Sequence, residues 1–189
     1  MNVAARHIAF ELPTDGRQSP TALSVALGAR RLLASHGFAS VTELTLASGR
    51  RADIVGLGAN GDIWIVEIKS CLADFRADRK WPGYRDVCDR FFFAVPTDFP
   101  HEVLPQDAGL MLADGFGGAV VRGAPVHRLA GARRKAVMLR FAHAAAGRLH
   151  GLVDPHGAGG LVEAGGTLAR NLSGARASPG CAAACGGAC

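Results

Sequence analysis

The chain has 189 residues and a mass of 19.6 kDa, with 21 Lys+Arg against 16 Asp+Glu, for a net charge of +5 and a pI of about 9.3. That length suits one domain, or one domain with a tail, and 49% hydrophobic against 20% charged residues is the balance of a folded chain. No run reaches the roughly 18 apolar residues that span a bilayer. The first 13 residues carry Arg6, His7 and Glu11 with no signal-type apolar segment, and an odd five cysteines do not make an extracellular disulfide framework, so the expectation is a cytoplasmic chain that stays out of membranes.

Residues 1–18 read as an N-terminal extension. Ser19 then offers an N-cap, Pro20 fits the first helical position, and Gly37 is placed to stop the helix, which predicts a helix over residues 20–36. Leu23, Ala26, Leu27, Leu32 and Leu33 give it an apolar stripe. Three strands follow at 41–46, 51–57 and 63–69, the last two joined by a hairpin turn containing Asn60-Gly61. A polar helical stretch over 74–89 is interrupted by Trp81-Pro82-Gly83. The run RFFFAV, 90–95, reads as a buried strand stopped by Pro96. Further strands at 109–114 and 118–122 precede a helix over 129–149. The order is α-β-β-β-α-β and then β-β-α, an α/β fold with a mixed central sheet flanked by helices over residues 19–150. Residues 151–189 hold 10 Gly and 9 Ala and no aromatic residue, and they read as a disordered tail.

Chemistry concentrates in residues 50–70, RRADIVGLGANGDIWIVEIKS. Side chains two apart on a strand share a face, so Glu67 and Lys69 point one way, with Ile63 and Ile65 behind them. Trp64, Val66 and Ile68 lie on the other face, suited to packing under a helix. A three-residue loop, Ala59-Asn60-Gly61, with Gly61 in the left-handed region sets Leu57 opposite Ile63. The ladder then brings Asp53 opposite Glu67. Facing like charges destabilise a sheet, and a divalent cation removes the conflict. Mg²⁺ takes hard oxygen ligands, retains waters and needs only one or two carboxylates beside substrate phosphates; Mn²⁺ is the expected substitute. Lys69 would orient or deprotonate the attacking water, or stabilise charge on the phosphate. A solvated sheet face is the competing explanation. Lysine, however, occurs only at Lys69, Lys80 and Lys135 in this arginine-rich chain, and the IWIVEIK run is too apolar for an edge strand.

The D-(x13)-E-x-K pattern, after a helix and inside a hairpin, resembles the PD-(D/E)XK nuclease superfamily, with Ala52 in place of the proline. The longer stretches GRRADI, WIVEIKS, DFRADRKWPGYRDVCDRFFFAV, DAGLMLADGFGG and LAGARRKAVMLRFAHAAAGRL resemble the MmcB family of bacterial DNA repair proteins over residues 18–149. The resemblance implies a restriction-endonuclease-like core and a Mg-dependent DNA endonuclease acting in repair in the bacterial nucleoid. It also implies Asp53 and Glu67 as metal ligands and Lys69 as the catalytic lysine. A DNA-binding repair factor that keeps the fold without cutting is the alternative. Many such nucleases carry another acid in the first helix; residues 20–36 have none, and Glu43 is the candidate accessory acid.

The partner expected is DNA, with no membrane and no identifiable protein partner, and with a homodimer left open. Lys80, Trp81 and Tyr84 are candidates for backbone contact and base stacking, and Arg133, Arg134 and Lys135 for docking on phosphates. Capping, ion pairing and sheet cover by Trp81 compete with that role, as does a solvated face for the basic helix. Val137, Phe141 and Leu129 read as core, Cys71 and Cys88 as small core residues, and Cys181, Cys185 and Cys189 as incidental to the tail.

Overall fold

The computed structural model describes residues 18–154, Arg79 excepted. Of the expected extension over residues 1–18 only residue 18 is described, and of the expected tail over 151–189 only 151–154, of which 151–153 belong to a helix; residues 155–189, with Cys181, Cys185 and Cys189, lie outside the described residues. Six strands form one mixed sheet in the order β1-β2-β3-β4-β5-β6: Phe38–Thr45, Arg51–Gly58, Ile63–Ile68, Arg90–Val95, Gly109–Ala113 and Gly118–Arg122. β1 pairs with β2 and β2 with β3 antiparallel, β3 with β4 and β4 with β5 in parallel, and β6 returns antiparallel to β5. Helices α1 (Pro20–Ser35), α2 (Leu72–Ala77) and α3 (Gly131–Val153) complete the fold. Among the described residues no helix is long and apolar enough to cross a membrane.

α1 follows its sequence signals. The Ser19 hydroxyl accepts from the Ala22 N–H at 3.1 Å, and His36 caps the C-terminal end. Val25, Ala29, Leu32 and Leu33 pack on Ile54, Val66, Phe92 and Met111, so Trp64, Val66 and Ile68 do lie under a helix. Gly28 permits the close approach of α1 to the turn after β5, because a Cβ there would lie 2.1 Å from the Asp114 carbonyl oxygen. β1 begins at Phe38, three residues earlier than expected, because the Phe38 ring packs on Trp64 with centroids 4.3 Å apart.

The other face of the sheet holds Val55, Ile63, Ile65, Phe91, Phe93 and Leu110 beneath α3, through Val137 and Phe141, and beneath a 3-10 turn at Trp81–Val87. The stretch expected as one interrupted helix is thus two short pieces. Pro82 and Gly83 fall inside the second, where tighter 3-10 winding replaces α-geometry. α3 runs four residues beyond its expected end, since Leu149, Leu152 and Val153 prolong its apolar spacing. Cys88 is buried as expected, whereas Cys71 is exposed, because it stands at the N-cap of α2 and not in the core.

Candidate active site

The hairpin between β2 and β3 sets the site. Gly61 has φ +86, the left-handed conformation that a three-residue loop requires, and Leu57 pairs with Ile63 and Ile54 with Val66. One step further along this register Asp53 stands opposite Glu67. There the Asp53 side chain takes over from the backbone ladder: its Oδ2 accepts from the Ile68 N–H at 2.8 Å. The next residue, Lys69, is fixed by its own N–H, which donates to the Ala94 carbonyl on β4 at 3.0 Å. Three chemically active side chains are therefore held by main-chain bonds of central strands.

Lys69 is only 4% exposed and Glu67 only 7%. Lys69 Nζ lies 3.2 Å from Glu67 Oε1 and 2.7 Å from Asp78 Oδ2, so the ammonium bridges two carboxylates. Glu67 Oε2 is buried and receives no hydrogen bond among the described residues, while the Asp78 carboxylate lies close enough to accept one from Glu67 when that carboxyl is protonated. Burial pushes the Glu67 carboxyl well above the ordinary range, and the charge of Asp53 pushes it further. Asp53 is also pushed up by burial; the Ile68 N–H opposes this and Glu43 adds to it. Burial works against the charge on Lys69, but Glu67 and Asp78 outweigh it and hold the ammonium above its usual range. In this charged form Lys69 offers N–H donors and no free base.

Glu43 completes a row of acids. In β1 it falls across from Asp53, between the pairs Thr42–Ile54 and Leu44–Ala52. Its φ of +51 lies in the left-handed region, rarely adopted by a non-glycine residue and costly in backbone energy. Its carboxylate pairs with Arg51 and accepts from Gln18 Nε2 at 2.8 Å. Asp53 thus lies between carboxylates on both neighbouring strands.

The residues expected at a nucleic-acid surface divide into two groups. Lys80, Arg133 and Lys135 are exposed. Tyr84 is 4% exposed: its hydroxyl donates to the Arg51 carbonyl at 2.8 Å, and its ring stacks on Phe91. Trp81 packs against Phe91 and Phe93, with the Arg85 guanidinium 4.8 Å from its ring centre. Both rings cover the sheet instead of standing open to a base. Arg134 grips both oxygens of Asp89 at 2.7 Å and the Gly61 carbonyl at 2.6 Å, tying α3 to the hairpin. Asp78 pairs with Lys69 across nine residues, a contact with no local sequence signature. Asp74 caps the Ser70 N–H at 3.3 Å.

The donor set fits a hard divalent ion. Two facing carboxylates destabilise each other, and one presents a buried oxygen that receives no hydrogen bond among the described residues. Among the described residues no three His, Cys, Asp or Glu gather into a group that would hold a metal ion by themselves.

The family model of MmcB-like DNA repair proteins matches residues 11–156. Among solved structures, a protein of unknown function from Silicibacter pomeroyi is 48% identical, with a TM-score of 0.71, over 74% of this chain and 96% of that one. A repair endonuclease from Pyrococcus abyssi is 18% identical, with a TM-score of 0.29, over 44% of this chain and 40% of that one. No curated protein matches.

Proposed function

The chain belongs to the MmcB-like DNA repair protein family, and we propose that within it the protein is a DNA endonuclease that hydrolyses phosphodiester bonds with Mg²⁺, or Mn²⁺ in its place. One observation carries this: Asp53 and Glu67 face each other at the end of central strands, with a buried oxygen on Glu67 that receives no hydrogen bond among the described residues and the Lys69 ammonium 3.2 Å away. A fold with no use for this arrangement gains nothing from burying a carboxylate pair, because burial and repulsion both work against it.

Asp53 and Glu67 would hold the ion, which when bound polarises a phosphoryl oxygen and lowers the pKa of water. Asp53 is kept in place by the Ile68 N–H, so it needs no reorganisation to serve. Lys69, charged and held by Asp78, would stabilise the negative charge that develops on the scissile phosphate. Glu43 adds negative charge beside Asp53 and serves as the accessory acid. Exposed Lys80 and Arg133 supply backbone attraction without base recognition.

The test is a cleavage panel over flaps, junctions, nicked and abasic DNA with Mg²⁺ and with Mn²⁺. Wild-type protein is expected to cut at least one form, and Asp53→Ala and Lys69→Ala to lower the rate by about a hundredfold or more while remaining folded. Equal residual cutting by both variants and wild type would assign the activity to a contaminant. Salt-sensitive DNA binding with no cutting of any substrate would favour a non-cutting repair factor.

A further inference from the structure

α3 is apolar on two sides. Val137 and Phe141 are buried against the sheet, with Ala144 and Ala145 packed beside them. On the opposite side Leu139, Ala142, Ala146, Leu149 and Val153 follow one another at spacings of three, four, three and four, and all five are exposed. Leu139 is 60% exposed, Leu149 62% and Val153 79%. A seam of this period, about 21 Å long at 1.5 Å per residue, is the pattern by which one helix packs along another.

Its order indicates what covers it. The series Leu-Ala-Ala-Leu reads the same in both directions. A copy of α3 laid antiparallel therefore sets Leu139 opposite Leu149 and Ala142 opposite Ala146, and two-fold symmetry repeats both contacts. The central alanines let the helix axes approach to about 8 Å, and the leucines close the two ends. Charge selects the same arrangement. α3 has no acidic residue from Gly131 to Val153, yet Arg133, Arg134 and Lys135 lie in its first turns, at the positive end of its own macrodipole. Lys135 lies on the seam line, four residues before Leu139. In an antiparallel pair it meets the partner helix's C-terminal end, where the macrodipole is negative, whereas a parallel pair would set the basic first turns side by side.

We propose that the exposed face of α3 is a homodimer interface, an antiparallel helix pair with its two-fold axis between Ala142 and Ala146. The surface lies on the far side of α3 from the sheet and does not depend on the activity proposed for Asp53, Glu67 and Lys69.

Sedimentation equilibrium of the full chain under reducing conditions, at about 50 µM, tests it. Wild type is expected at twice the chain mass of 19.6 kDa. Leu139→Glu and Leu149→Lys alone are each expected at the single-chain mass with unchanged helical circular dichroism. An equimolar mixture of the two variants is expected to return to twice the mass, because only an antiparallel pair joins the new acid to the new base while keeping one Leu–Leu contact. A monomeric wild type, as would follow if another part of the chain or a different protein covered this face, overturns the proposal. So does a dimer that both variants leave intact, or a mixture that stays monomeric.

Discussion

Glu67 stands where a carboxylate is costly, and that cost is measurable without DNA. Burial and Asp53 raise its pKa in the folded chain above the ordinary carboxyl value. The folded state therefore holds a proton over a pH range in which the unfolded chain has released it, and stability falls as pH rises through that range. Its contribution is complete at and below the ordinary carboxyl pKa and is lost toward the raised one. Glu67→Gln is expected to flatten the decline in metal-free stability between roughly pH 5 and pH 8, and to stabilise the fold by about 2 kcal/mol at the upper end; urea denaturation across that range checks it. Lys69 is expected to behave oppositely. Lys69→Ala leaves Glu67 and Asp78 without their shared cation and should destabilise by about 3 kcal/mol at pH 8, less at pH 5 where Glu67 is protonated. At this scale the sequence disclosed what local periodicity and composition carry. Glu67 and Lys69 share a face because they are two apart on a strand, and lysine is scarce enough to mark Lys69. Asp78 on Lys69, Tyr84 on the Arg51 carbonyl and Arg134 on Asp89 join residues 9, 33 and 45 positions apart, and no local pattern encodes them.

Among the elements, those with their own start and stop chemistry were readable. Ser19-Pro20 and Gly37 bound α1, Asn60-Gly61 fixes the β2–β3 register, and RFFFAV is β4 to the residue. Ser19→Ala should cost about 1 kcal/mol by removing the acceptor of the Ala22 N–H, measurable as a lower denaturation midpoint with an unchanged slope. The stretch between β3 and β4 was less readable because its structure depends on what it covers. α2 buries no residue, and the 3-10 turn is shaped by Trp81 and Tyr84 lying on Phe91 and Phe93. α3 was readable as a helix, but not in the use of its cations. Arg134 clamps the hairpin to β4 through Asp89, which also accepts from the Ile63 N–H at 2.8 Å. Arg134→Ala should therefore destabilise by about 3 kcal/mol in thermal melts while leaving the salt dependence of DNA binding unchanged.

For the whole molecule, the order α-β-β-β-α-β and the three acids across β1, β2 and β3 give the net charge of +5 a context it lacks alone. Basic residues attract any polyanion, and the chain's arginine-rich composition makes their number uninformative. What distinguishes this chain is an acidic row, Glu43, Asp53 and Glu67, kept inside a basic protein at one end of a central sheet. DNA affinity is expected to fall linearly with salt on logarithmic axes, and Lys80→Ala to lower that slope by about 1 in a fluorescence-anisotropy titration. The facing carboxylates are the point on which the account turns, and calorimetric titration of Mg²⁺ into DNA-free protein at pH 8 addresses them most directly. The expected result is saturable binding in wild type that Asp53→Asn removes, together with proton release on binding, because Glu67 must lose its proton to solvent before its carboxylate can take the ion. No saturable binding in wild type, or the same binding in Asp53→Asn, would contradict the assignment of Asp53 and Glu67 as a metal site.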